Sequence, residues 1–98
     1  MQQGSLEKKI VVCLDRAGIK HACAGYKYLV LCVQIVLESR NRVFKVRDIY
    51  EIAAERAGIQ WQTIERAIRI SMKRAANENT KKLTNKELIA RIVDQLID

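Results

Sequence analysis

No stretch of this chain is apolar for long enough to cross a membrane, which sets a first boundary on what it can be. Ile10–Leu14 is five apolar residues and stops at Asp15, too short for the core of a signal peptide. Leu29–Leu37 is nine residues interrupted by Gln34, far below the roughly 20 needed to span a bilayer. Anchorage on an anionic membrane surface is also disfavoured, because no helix combines a cationic face with bulky exposed apolar residues. The expected location is cytoplasmic, without a membrane partner.

Cysteine is scarce and poorly spaced for chemistry. Cys13, Cys23 and Cys32 stand ten and nine residues apart with no C-x-x-C pair, which excludes a disulfide framework and a zinc motif. His21 would complete a set of four ligands, but two of the cysteines fall on apolar helix faces. Cys13 and Cys32 read instead as small buried hydrophobes in a reducing compartment. The lone histidine reads as a loop side chain, since no serine, carboxylate or cysteine near it has a nucleophile's spacing. A Gly-rich phosphate loop, an internal repeat and low-complexity tracts are missing too. Enzymatic chemistry has no foothold, and neither a metal nor a cofactor is expected. Proline is absent altogether and glycine numbers four.

What is present is positive charge and helical periodicity. Eighteen Lys and Arg against eleven Asp and Glu give a net charge of +7. Such a surplus suits a polyanion, because neutralised phosphates release counterions. The charge is clustered as well: Arg40, Arg42, Lys45 and Arg47 lie within eight residues with no acid among them.

Immediately after that cluster, residues 46–74 read as a helix-turn-helix. Val46, Ile49, Tyr50, Ala53 and Ala57 follow the i, i+3, i+4 spacing of a buried face, and Ala54 is small enough for a close crossing. Gly58 sits where glycine ends a helix in the left-handed conformation. A second helix then carries Ile64, Ala67, Ile68, Ser71, Met72 and Ala75 inward. In this motif the second helix enters a DNA major groove.

The outer stripe of that helix fits base recognition. At 3.6 residues per turn, Gln62, Glu65, Arg66, Arg69 and Lys73 fall within roughly 100°. Arginine can pair with guanine O6 and N7, glutamine with adenine, and glutamate can accept from cytosine N4. Gln62, Glu65, Arg66 and Arg69 are therefore the candidate base-reading set. Arg42, Lys45, Arg47, Lys73 and Arg74 are candidate phosphate contacts, which set register without reading sequence. The bland alternative is a solvated face carrying an i, i+4 Glu65–Arg69 ion pair.

The remaining segments complete an all-α domain of five to six helices. Leu6, Ile10, Cys13, Leu14 and Ala17 form one stripe, ended by Gly18. A connector over 19–25 leads to a helix from Tyr26 with Leu29, Cys32, Val33, Val36 and Leu37 inward. Residues 39–45 form a basic loop with a short extended piece at Val43–Phe44. Residues 77–83 are expected to be polar and exposed. Thr84-Asn85-Lys86-Glu87 is a capping box, opening a last helix with Leu88, Ile89, Ile92, Val93 and Leu96 on its apolar face. Trp61 is expected to staple the start of the recognition helix to the core, the alternative being an exposed place near DNA. The chain reads as one domain over 1–98, with the helix-turn-helix at about 46–77.

The phrases Gly25-Tyr26-Lys27-Tyr28-Leu29, Asp48-Ile49-Tyr50…Ala53 and Ile64-Glu65-Arg66-Ala67-Ile68-Arg69 carry a resemblance. The chain resembles the C-terminal effector domain of the master sporulation response regulator of endospore-forming bacteria. Thr84-Asn85…Glu87-Leu88-Ile89-Ala90 extends the likeness, which runs from Leu6 to the last helix. The resemblance implies a helical domain that binds double-stranded DNA at promoters, as a homodimer on tandem sites, and contacts RNA polymerase sigma factor. It places Glu65, Arg66 and Arg69 at the family's operator-contacting positions. The chain departs from the family at Thr63, where a basic residue is usual, at Ile70 and Ala22, where histidine is usual, at Ala76, where an aromatic is usual, and in lacking its prolines. The family's full-length regulator also has a receiver domain, whereas the helical domain accounts for all 98 residues here. A helical protein adaptor and a nonspecific nucleic-acid binder using the same basic face remain as other readings.

Overall fold

In the computed structural model, which describes residues 2–39 and 44–97, apolar periodicity becomes six helices. They are α1 (Gln2–Arg16), α2 (Ala24–Ser39), α3 (Val46–Ala57), α4 (Trp61–Lys73), α5 (Glu78–Lys81) and α6 (Asn85–Leu96). No strand occurs among the described residues. The fold is all-α, as its sequence pattern indicates.

Helix α2 is the centre of the molecule. It buries Tyr26, Leu29, Val30, Cys32, Val33, Ile35 and Val36, too many for one stripe, because α1, α3, α4 and α6 all pack against it. A helix apolar on most of its circumference belongs inside, where each face meets a neighbour. It also starts earlier than its apolar pattern suggests. Gly25 is a residue of α2, not of the connector, and a methyl group there would overlap the Ser71 Oγ and the Ala67 carbonyl of α4. The missing side chain lets α2 and α4 cross closely.

The segment expected to be an exposed polar loop is a built connection. Asn77 caps α5 by accepting from the Asn79 N–H at 2.9 Å. Thr80, only 3% exposed, donates its hydroxyl to the Ala17 carbonyl at 2.7 Å. The Ala76 N–H donates to the Gly18 carbonyl at 2.9 Å, so this connection is tied to the end of α1. Asn77 and Thr80 spend their polar groups on capping and cross-links, while Glu78, Asn79, Lys81 and Lys82 are exposed as expected. Ala57, placed on the buried stripe by its spacing, is exposed at the last position of α3.

Other ends follow local rules. Gly58 adopts φ 70°, ψ 32°, and its N–H and that of Ile59 both donate to the Ala54 carbonyl. At α6 the capping box is complete: the Glu87 N–H donates to Thr84 Oγ1 at 3.1 Å and the Thr84 N–H to Glu87 Oε1 at 2.8 Å. At the far end of α1, Asp15 holds His21 at 2.7 Å and accepts from the Tyr26 hydroxyl at 3.1 Å. The His21 and Tyr26 rings stack 4.2 Å apart. His21 is thus an exposed loop side chain that ties α1 to α2. Val43 lies outside the described residues, while Phe44 is buried and non-helical before α3.

Candidate nucleic-acid interface

Helix α4 is the most sharply two-faced element. Ile64, Ile68, Ser71 and Met72 are buried against α2 and α3, while Gln62, Arg66, Arg69, Lys73 and Arg74 are exposed. Ser71 needs no external partner, since its hydroxyl donates to the Ala67 carbonyl at 2.8 Å. The helix is therefore locked from behind and open in front.

Two anchors fix its angle. Trp61 is half-buried and stacks parallel to Tyr50 with centroids 6.3 Å apart, which joins the first turn of α4 to α3. The Arg47 guanidinium lies 4.8 Å from the Trp61 ring and 3.8 Å from Glu51. The second anchor is Asn85 of α6, whose amide is 3.0 Å from both the Glu65 carbonyl and the Tyr50 hydroxyl. Burial pushes Tyr50 up to about 12, against the hydrogen bond from Asn85, so it serves as a neutral phenol. Asn85 has no signature of its own in the sequence beyond following a capping threonine. Its role depends on a contact 20 and 35 residues away.

The base-reading candidates do not all stand alike. Gln62 and Arg66 are exposed and make no ion pair among the described residues. Glu65 is half-buried and pairs with Arg69, with Nε to Oε2 at 3.0 Å. This is the pair that a merely solvated face would carry. An exposed i, i+4 pair is worth about 0.3–0.5 kcal/mol, so a base edge offering Arg69 two hydrogen bonds displaces it at small cost.

Among the phosphate candidates, Lys73 and Arg74 are exposed at the C-terminal end of α4. Lys45 is exposed at the start of α3 and makes no side-chain cap. Arg47 is exposed but turned across Trp61. Arg42, like Arg40, lies outside the described residues. Lys20, Lys81 and Lys86 also border the flanks of α4. They carry no periodic signal because each comes from a different element. Ile70 is 37% exposed on the same helix, an apolar group on an otherwise polar front.

Among the described residues, no group of three or more His, Cys, Asp or Glu could hold a metal ion, and no helix is long and apolar enough to cross a membrane. Cys32 is fully buried, and burial pushes its thiol up to about 12. Burial also raises Cys13, against the nearby Arg16.

Comparison with curated proteins and with solved structures gives no match. The family model described as sporulation initiation factor Spo0A, C terminal, matches residues 10–96. The matched span contains α2 to α6 entire and the second half of α1.

Proposed function

Because the chain belongs to the sporulation initiation factor Spo0A C-terminal family, we propose that it reads a specific operator through the outer face of α4. The family is a DNA-binding effector domain in transcription regulation, and this member binds double-stranded DNA in that capacity. The proposal concerns how it does so. Gln62, Glu65, Arg66 and Arg69 meet base edges, and Lys45, Arg47, Lys73 and Arg74 meet phosphates. Arg42 belongs with the phosphate set on its place in the sequence. The observation that carries this reading is the two-faced α4, held from behind by α2 and α3 and presenting exposed arginines at the pitch of one helix face. A helix of this kind, about 10–12 Å across, fills a major groove of about 12 Å.

Tandem promoter sites with a second copy alongside, and a sigma-factor contact, follow from family resemblance and form the wider part of the proposal. Selection of bound duplexes from a random library, followed by a salt series on the selected and a random duplex, tests the central claim. A sequence-specific regulator prefers the selected duplex at every salt concentration. A nonspecific binder fails to distinguish the two, and a protein adaptor binds neither.

A further inference from the structure

We propose that the recognition helix is clamped between both DNA strands by lysines from other elements, with Lys20 on one flank and Lys86, beside Lys81, on the other. This rests on the reading of α4 as the groove-entering helix and adds the residues that hold its two sides.

The flanks of α4 are two separate grooves. One, of about 700 Å³, lies between α4 and the connector before α2, and Lys20, Arg66 and Arg74 line it with no carboxylate. The other, of about 440 Å³, lies between α4 and the α5–α6 junction. Arg69, Lys73, Lys81 and Lys86 line it against a single carboxylate, Glu65, which pairs with Arg69 at 3.0 Å in the free protein, so cations outnumber it four to one. The crest of the helix stands between them.

A helix inserted into a major groove has one phosphate strand along each side. Its own side chains on the crest reach base edges, while cations set back on the flanks reach the strands. Lys20 is exposed and has no ion-pair partner among the described residues. Lys86 is exposed too, and its Nζ sits 5.6 Å from the centroid of buried Phe44, which keeps the charge beside the groove. Lys81 is partly offset by Glu78 at 3.2 Å, so Lys20 and Lys86 are the cleaner pair to test. Phosphate is the occupant that charge complementarity selects: flanks with this cation surplus repel a second copy of a chain carrying +7.

The test compares Lys20→Gln, Lys86→Gln and the double variant with Lys9→Gln, an exposed lysine of α1 that lines neither groove. Affinity is measured against salt on a random-sequence duplex and on a duplex selected by the unaltered protein. Each flank variant should make the negative slope of log K against log[salt] shallower by about 0.9, on both duplexes alike, and the double variant by about twice that. Lys9→Gln should leave the slope unchanged. An unaltered slope for either Lys20→Gln or Lys86→Gln overturns the two-sided clamp. Arg66→Ala separates that failure from failure of the underlying reading. If Arg66→Ala abolishes the preference for the selected duplex while the lysine variants keep their slope, only the clamp falls. If selection with the unaltered protein enriches no duplex and the random duplex is not bound either, both fall.

Discussion

Arg66 and Arg69 share the exposed front of α4 but are held differently. Arg66 projects without an ion-pair partner among the described residues, whereas Arg69 is drawn to Glu65. Arg66→Ala and Arg69→Ala should each cost about 1–3 kcal/mol on the selected operator and much less on random DNA. Equal losses on both duplexes in a binding titration would reassign these arginines to phosphates. The cysteines diverge in the same way through their surroundings. Cys23 is half-buried beside the Lys20 groove, while Cys32 is fully enclosed and pushed up to about 12. Because the thiolate is the reactive form, Ellman's reagent should modify Cys23 in the native protein and Cys32 only on unfolding. Prompt reaction of Cys32 would mean that the core around α2 opens readily.

Two glycines govern how the elements meet, for opposite reasons. At Gly58 the surroundings are open, and the constraint is the left-handed backbone at φ 70°. Alanine there should cost about 1–2 kcal/mol, and Gly58→Val more, since a β-branched residue tolerates that conformation worse. At Gly25 the backbone is ordinary and the constraint is contact with Ser71 and Ala67. Gly25→Ala should cost about 1–3 kcal/mol by overpacking and weaken DNA binding with it, because the displaced partner is α4. Thermal melts and a binding titration check both, with each kcal/mol worth about 4–8 °C in a domain of this size. Only the first of these constraints was legible in the sequence. Gly58 follows a periodic helix, so its role is local, whereas Gly25 depends on a neighbour more than 40 residues away. The same division runs through the fold. Helices α3, α4 and α6 were readable because one apolar stripe defines each, with Gly58 marking the end of α3 and the Thr84 capping box the start of α6. The start of α2 was hidden because a helix packed on all sides has no polar face to mark its phase. Helix α5 was hidden because Asn77 and Thr80 look like solvated residues until Ala17 is brought beside them. On the candidate interface, the stripe of α4 was readable from spacing alone. Lys20 comes from the connector before α2 and Lys86 and the anchoring Asn85 from α6, and no one-dimensional pattern joins them to α4.

At the scale of the whole molecule, positive charge lies outside and ionisable groups of another kind lie within. Cys32 and Tyr50 are neighbours in the core around α2, where each is raised by burial and the Cys32 charge would raise Tyr50 further. Tyr26 is raised to about 12 as well, by burial and by donating its hydroxyl to Asp15. All three groups are neutral in the folded state at ordinary pH and must lose a proton to become charged. Their folded values, about 12, exceed the ordinary 9 for a thiol and 10 for a phenol. The unfolded chain therefore releases protons first as pH rises, and base favours unfolding. The stability these groups contribute is fully present below about pH 9 and is lost progressively toward pH 12. Acid works through a different group and in the opposite sense. Hydrogen bonds from Thr84 hold the exposed Glu87 below its usual 4.5, so its support of the α6 cap is present above that value and fades as pH falls. A series of melting temperatures should accordingly be level from about pH 7 to 8.5 and fall steeply above pH 9. Absorbance of ionised tyrosine should show Tyr26 and Tyr50 ionising together with loss of helical circular dichroism. A melting temperature that stays level to pH 11 would mean that these phenols and the Cys32 thiol ionise as freely in the folded protein as in the unfolded chain, and that α2 is not the enclosed centre of the fold.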